Sequence, residues 1–187
     1  MMIKIHEITP FSEVNGPGVR TVIHFQGCKF QCPGCFNPTT HSLDGGVSMS
    51  LSEIICSIPD TVSDITISGG EPFLQPKALL ELTTRLKGLG YTIVVFSGFY
   101  MNEIRNLKYG NDILVNIDVL IDGRFDSTAA SFLGLHGSDN QTLHFISNKY
   151  SHADFVSRDV EILISADGST QITGFPTASL LANFNNN

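Results

Sequence analysis

"TVIHFQGCKFQCPGCFN" (residues 21–37) joins two signals in one short stretch. Residues 21–26 have the composition of a buried β-strand. The strand runs directly into a loop that places Cys28, Cys32 and Cys35 within eight positions. The same strand-then-loop unit recurs downstream. "DITIS" (64–68) reads as a strand ending at Gly69-Gly70. Pro76 then opens a helix with Leu79, Leu82, Leu86 and Leu89 on one face, closed by Gly90. "YTIVVFSG" (91–98) is a further strand, followed by a weaker helix around 102–107. "IDVLIDG" (117–123) and "TLHFIS" (142–147) are apolar strands. "VEILIS" (160–165) and "STQITGF" (169–175) suggest a hairpin over "ADG". Ser50 and Glu53 form a capping box before a short helix in "SLSEIICSI".

Strands separated by helical segments predict an α/β fold with a mostly parallel sheet and right-handed crossovers. Too few units fit for an eightfold barrel, so the expected architecture is a partial (open) βα barrel with a C-terminal β-hairpin. The loops at 27–47, 69–76 and 97–100 all follow strands, so they are expected to share the face where such sheets bind ligands.

The 187 residues fit a single domain, 1–187, with a core at about 15–147 and an extension at 148–187. The extension's hairpin is expected to cap the sheet edge. A formal net charge of -7 argues against a nucleic-acid partner. No apolar run approaches the ~18 residues of a membrane span, and "MMIKIHEITP" lacks the apolar region of a secretory signal. The cysteines are too close together for a disulfide framework and fit a metal centre in the reducing cytoplasm. The polar tail "NFNNN" is expected to fray.

Three cysteines spaced C-x3-C-x2-C leave two metal readings open. A structural zinc takes four protein ligands, so Cys56, His24 or His41 would have to supply the fourth. Cys56, among the apolar residues of "SEIICSI", reads instead as a packed thiol. A 4Fe-4S cluster on three thiolates keeps one iron free for a substrate, which makes such a centre catalytic.

The cysteine loop, followed in order by "SGGEP" (68–72), "FSGF" (96–99), "DVLIDGRF" (118–125) and "GSDNQ" (137–141), and preceded by "NGPGVRT" (15–21), resembles the radical S-adenosylmethionine (SAM) superfamily. The resemblance runs over about two thirds of the chain. It is nearest to the glycyl-radical-enzyme activating family, in the branch that serves the anaerobic ribonucleoside-triphosphate reductase. The resemblance implies that Cys28, Cys32 and Cys35 hold a 4Fe-4S cluster whose fourth iron takes the amino and carboxylate groups of SAM. Reductive cleavage of SAM then yields a radical that removes hydrogen from a glycine of a partner enzyme. A flavodoxin-type protein is the implied electron donor.

By the same resemblance Gly34 and Phe36 flank the third cysteine, with Phe36 near the SAM adenine. Gly69, Gly70 and Glu71 meet the methionine end of SAM, and Asp122 and Arg124 contact SAM from the mouth of the sheet. Each residue also has a plain structural reading: core packing for Phe36, a turn before a Pro-started helix for "SGGEP", a salt bridge for Asp122 and Arg124. "NGPGVR" reads as a turn near a partner's docking place, with Arg20 facing the partner or solvent. Three rival functions stay open: activation of another glycyl-radical enzyme, a small-molecule radical SAM enzyme of the deazapurine synthase kind, and a non-catalytic zinc-binding or electron-transfer module.

Overall fold

The computed structural model describes the chain except residues 132–133, 157–158, 165–167, 169, 177–179 and 181–187. The main sheet comprises β1 (Met2–Ser12), β2 (Arg20–Phe25), β3 (Val47–Ser50), β4 (Asp64–Gly69), β5 (Thr92–Phe96), β6 (Val119–Asp122) and β7 (Thr142–Phe145). Their order across the sheet is β3-β1-β2-β4-β5-β6-β7. The centre, β2-β4-β5-β6, is parallel throughout. Antiparallel pairings flank it, β1 with β2 and β3 on one side and β7 with β6 on the other.

Helices α1 (Leu51–Cys56), α2 (Pro76–Gly88), α3 (Met101–Ile104) and α4 (Gly110–Leu114) lie between the strands. The period-2 alternation of the strands divides the apolar residues between two cores. Ile23, Phe25, Ile65, Ile67, Ile93, Val95 and Leu120 pack with Leu79, Leu82 and Leu86 of α2. Val94, Val119 and Ile121 turn to the opposite side and meet Leu135 and Phe155. Every residue of β2 is buried, as a central parallel strand requires. The capping box forms as expected, with Glu53 N donating to Ser50 Oγ and Ser50 N to Glu53 Oε2.

The structure departs from the sequence expectations at several places. Leu89 is exposed, because α2 ends at Gly88 and Leu89 falls beyond its periodic face. Cys56 is an exposed thiol rather than a packed one, since it lies two residues beyond the buried Ile54 and so on the other side of α1. Arg20 is fully buried: its guanidinium donates to Pro17 O at 2.8 Å and Ile65 O at 3.4 Å. β1 carries no clear sequence signal, because two irregularities in its pairing with β2 break the alternation that would reveal it. β3 is a four-residue strand whose apolar face is only Val47 and Met49, and α4 is a single short turn.

In the extension, β8 (Val160–Ile164) and β9 (Thr170–Gly174) form the expected antiparallel hairpin. Among the described residues it makes its own two-stranded sheet and does not pair with an edge of the main one. It packs instead beside the "NGPG" loop, where Asn15 Nδ2 donates to Thr173 Oγ1 at 2.8 Å and Glu13 N to Glu161 Oε1 at 2.6 Å. Ala166 and Asp167 of the expected turn, and the tail at 183–187, lie outside the described residues. Among the described residues no helix is long and apolar enough to cross a membrane.

Candidate active site

β2 and β4 end side by side, with Phe25 opposite Gly69. Beyond that point the two following loops are joined by backbone. Gly70 N donates to Phe25 O and Glu71 N to Gly27 O, each at 2.8 Å. This approach demands glycine. A Cβ on Gly69, whose φ is +102°, would lie 2.5 Å from the Phe25 backbone, and one on Gly70 2.3 Å from Gly27 O. The cysteine loop also closes on its own far end, through Gly27 N to Thr40 O at 2.8 Å and Cys28 N to His41 O at 3.1 Å.

Cys28, Cys32 and Cys35 line one pocket together with Ser68, Gly69, Gly70 and Glu71. All three are free thiols. Burial pushes the Cys28 and Cys35 thiols up, although the N–H groups of Phe30 and Gln31 serve Cys28 and that of Asn37 serves Cys35. The Asn37 N to Cys35 Sγ bond is 3.4 Å. Thiols held in this way are poor free nucleophiles, and a metal centre is what would draw them into the thiolate form. Among the described residues no three His, Cys, Asp or Glu side chains are gathered to hold a single metal ion. Of the fourth ligands considered for zinc, Cys56 is exposed on α1, and burial lowers the His24 imidazole to about 4. Neither lines the pocket, whereas His41 does. Three thiols from one loop, facing bare glycine backbone, fit a cluster with an open position better than a closed tetrahedral ion.

Glu71 is almost fully buried and its carboxylate is already engaged. Oε1 accepts from Phe73 N at 2.9 Å and Ser97 Oγ at 3.0 Å, and Oε2 from Gly98 N at 2.7 Å. Burial lifts its pKa to about 7 against the pull of these donors and of Lys29. The side chain therefore ties the loop after β4 to the loop after β5, while its backbone ties both to the cysteine loop.

The remaining predicted residues surround the pocket without lining it. Phe36 packs on Phe125 at 5.0 Å and on Phe175 at 5.7 Å, bridging the cysteine loop to the loop after β6 and to the extension. Gly34 lies against the same Phe125 ring. Asp122 Oδ2 accepts from Met101 N at the start of α3, at 2.5 Å, and sits 2.9 Å from His144 Nε2. Arg124 forms a two-pronged ion pair with Glu103 at 3.1 and 2.9 Å and lies over the Phe30 ring. The residues that do reach the pocket from this segment are their neighbours Gly123 and Phe125.

Sequence reasoning missed several lining groups, Phe30, Phe96, Ser97, Gly98, Phe125 and Gln141, and named His41 only as a possible zinc ligand. A signal for most of them existed, since "FSGF", "DVLIDGRF" and "GSDNQ" all sit at or after strand ends on the ligand-binding face. "GSDNQ" has a physical role. Gln141 Nε2 donates to Gly123 O at 2.8 Å, its Oε1 accepts from Gly137 N at 2.7 Å, and Ser138 Oγ accepts from Asp126 N at 3.0 Å. The segment thus clamps the loop that carries Gly123 and Phe125.

Comparison with known proteins agrees with this geometry. The family described as "4Fe-4S single cluster domain" matches residues 14–144. The anaerobic ribonucleoside-triphosphate reductase-activating protein of Vibrio cholerae is 34% identical over 151 residues, 74% of this chain and 96% of that protein. Its counterpart from Escherichia coli K12 is 32% identical over 154 residues, 75% of this chain and 97% of that one. The pyruvate formate-lyase-activating enzyme of Clostridium pasteurianum is 33% identical over 126 residues, 63% of this chain. The match spans only about half, 53%, of that enzyme's length. With its cysteine loop, glycine turn and shared pocket, the chain belongs to the radical SAM family of glycyl-radical-enzyme activating proteins, which use a 4Fe-4S cluster and SAM.

Proposed function

We propose that this chain activates an anaerobic ribonucleoside-triphosphate reductase by generating a radical on one of that enzyme's glycines. The observation that carries the proposal is the pocket shared by the three cysteines and the Gly69-Gly70 turn. When bound, the cluster and SAM supply the electron and the organic radical needed to take a hydrogen atom from a glycine Cα. Cys28, Cys32 and Cys35 hold the cluster. Gly69 and Gly70 let backbone approach the methionine end of SAM, and Glu71 fixes the Ser97–Gly98 wall opposite. Phe30, Phe96 and Phe125 form apolar walls that keep water from the reacting atoms. Gly34 and Phe36 set the position of Cys35 through the Phe125 and Phe175 rings. Asp122 and Arg124 anchor α3 and the loop after β6 through Met101 and Glu103.

We read residues 1–187 as one domain and the sheet as an open βα barrel. β3 and β7 stand at opposite ends of the strand order, which supports that reading. A flavodoxin-type electron donor and a cytoplasmic setting follow from the same function.

The test is anaerobic reconstitution with iron and sulfide, then addition of SAM and dithionite. Formation of 5′-deoxyadenosine and methionine is expected, and an organic glycyl radical signal should appear when the reductase is added. A signal on a formate-lyase but none on the reductase would move the assignment to the other kind of partner. A colourless protein holding one zinc would overturn the catalytic reading.

A further inference from the structure

His41 is one of the residues lining the pocket, and cluster holding, SAM approach and wall packing give its side chain no work. Its backbone carbonyl accepts from Cys28 N at 3.1 Å, which fixes its Cα beside the first cysteine. Thr40, at the end of a 3-10 turn over Pro38–Thr40, is buried and accepts from Gly27 N at 2.8 Å, so the approach is doubly held. His41 lines the pocket with the three cysteines. Its Nε2 is closed off from water and has no hydrogen-bond partner among the described residues. A buried ring nitrogen left unpaired costs about 1–3 kcal/mol, so such a group calls for an explanation.

The other candidate roles are filled or absent. No carboxylate or carbonyl among the described residues takes this nitrogen, and the polar side chains of Glu71, Ser97 and Gln141 on the pocket wall are bonded elsewhere, Glu71 to Ser97 and Gly98 and Gln141 to Gly123 and Gly137. The acceptor that this pocket offers is the group that the cysteines would hold. Two of those cysteines already receive backbone N–H donors, from Phe30 and Gln31 at Cys28 and from Asn37 at Cys35. An imidazole N–H on the same wall extends that set from backbone to side chain. Donors facing an iron–sulfur centre favour its more negative, reduced state and so raise its potential.

We propose that His41 Nε2–H donates a hydrogen bond to the cluster or to one of its thiolates, making His41 a positioning residue that raises the cluster's reduction potential. This rests on the cluster reading above. A charge-assisted hydrogen bond of this kind corresponds to about a tenfold change in the reduction equilibrium. For one electron, tenfold is about 59 mV.

The test compares reconstituted wild type, His41→Phe and His41→Gln by anaerobic redox titration monitored by EPR, with iron and sulfide counted in each. The expected result is a lower midpoint in His41→Phe, by about the tenfold equivalent, and partial recovery in His41→Gln, whose amide can still donate. Equal midpoints in proteins that all carry four iron and four sulfide would overturn the inference and leave the cluster reading intact. Absence of a cluster from wild type itself would overturn the reading beneath it. Should His41→Phe fail to load, pulsed EPR on wild type carrying 15N-histidine decides. A weak nitrogen coupling to the reduced cluster supports the contact, and none refutes it.

Discussion

The two ends of the parallel strands are built from different residue types and used in opposite ways. At the N-terminal ends, Arg20 of β2, Asp64 of β4 and Thr92 of β5 meet Tyr150. Asp64 Oδ1 accepts from the Tyr150 hydroxyl at 2.6 Å and from Thr92 Oγ1, while Arg20 donates to Pro17 O and Ile65 O and lies over the Tyr150 ring. Of this group, Arg20 Nε alone is left over. At the C-terminal ends, the same strands lead to three thiols, two of them pushed up by burial, a glycine turn and an unpaired imidazole nitrogen. The first end spends its polar groups on one another and on backbone, and the second leaves its three thiols on the wall of a pocket. Stability and chemistry are thereby separated along one sheet.

Substitutions at the two ends should therefore fail differently. Cys32→Ala has the largest expected effect: loss of the four-iron centre and no detectable 5′-deoxyadenosine, with the apo fold retained by circular dichroism. SAM cleavage by that variant would refute the site. Arg20→Leu is expected to destabilise the apo-protein by roughly 3–5 kcal/mol in urea unfolding, since it strips buried carbonyls and Tyr150 of a cationic partner. A loaded sample of that variant should keep its cluster potential, and a shifted potential would break the separation of the two ends.

His24, on the buried strand between these ends, sharpens the comparison through pH. Burial, and then the nearby His6, lowers its folded pKa to about 4 from 6.5. Between those values the unfolded chain binds the extra proton. The contribution is therefore fully present above pH 6.5 and lost as pH falls toward 4, on the order of 3 kcal/mol. His24→Gln should flatten the stability profile in that window, and an unchanged slope would assign the acid sensitivity to other groups. The smallest effect is expected at Gln141. Gln141→Ala removes the clamp on Gly123 and should cost about 1–2 kcal/mol. It should also raise KM for SAM more than it lowers kcat, because it loosens a wall rather than a reacting group.

Local signals with strong physical causes are legible in the amino-acid order alone. The Ser50–Glu53 capping box, the Pro76 helix start, and the apolar runs of β2, β4, β5 and β6 form where their residues suggest. The C-x3-C-x2-C loop and the glycine turn after β4 mark the site by their spacing. β1 is hidden by its own pairing irregularities, and β3 and α4 are too short to carry a period. Arg20 illustrates the limit in a single residue. An arginine after "NGPGV" reads as a surface cation, and it is the fold that buries it, among Gly16, Pro17, Ile65 and Tyr150 from 130 positions later.

What the chain's linear order settled is the chemistry on offer: three thiols on one loop, glycines where backbone must approach, and alternating strands that bring those loops to one face. These follow from spacing and from conformational preference, which act between near neighbours. What depended on the tertiary structure is the direction each polar group takes. Glu71, expected to face SAM, is turned onto Ser97 and Gly98. Asp122 and Arg124 are taken up by Met101 and Glu103. His41, which no spacing marked out beyond a possible zinc ligand, reaches the cysteine pocket. A buried polar atom is satisfied by whichever partner the packing brings within hydrogen-bond distance, and that partner comes from segments far away in the chain.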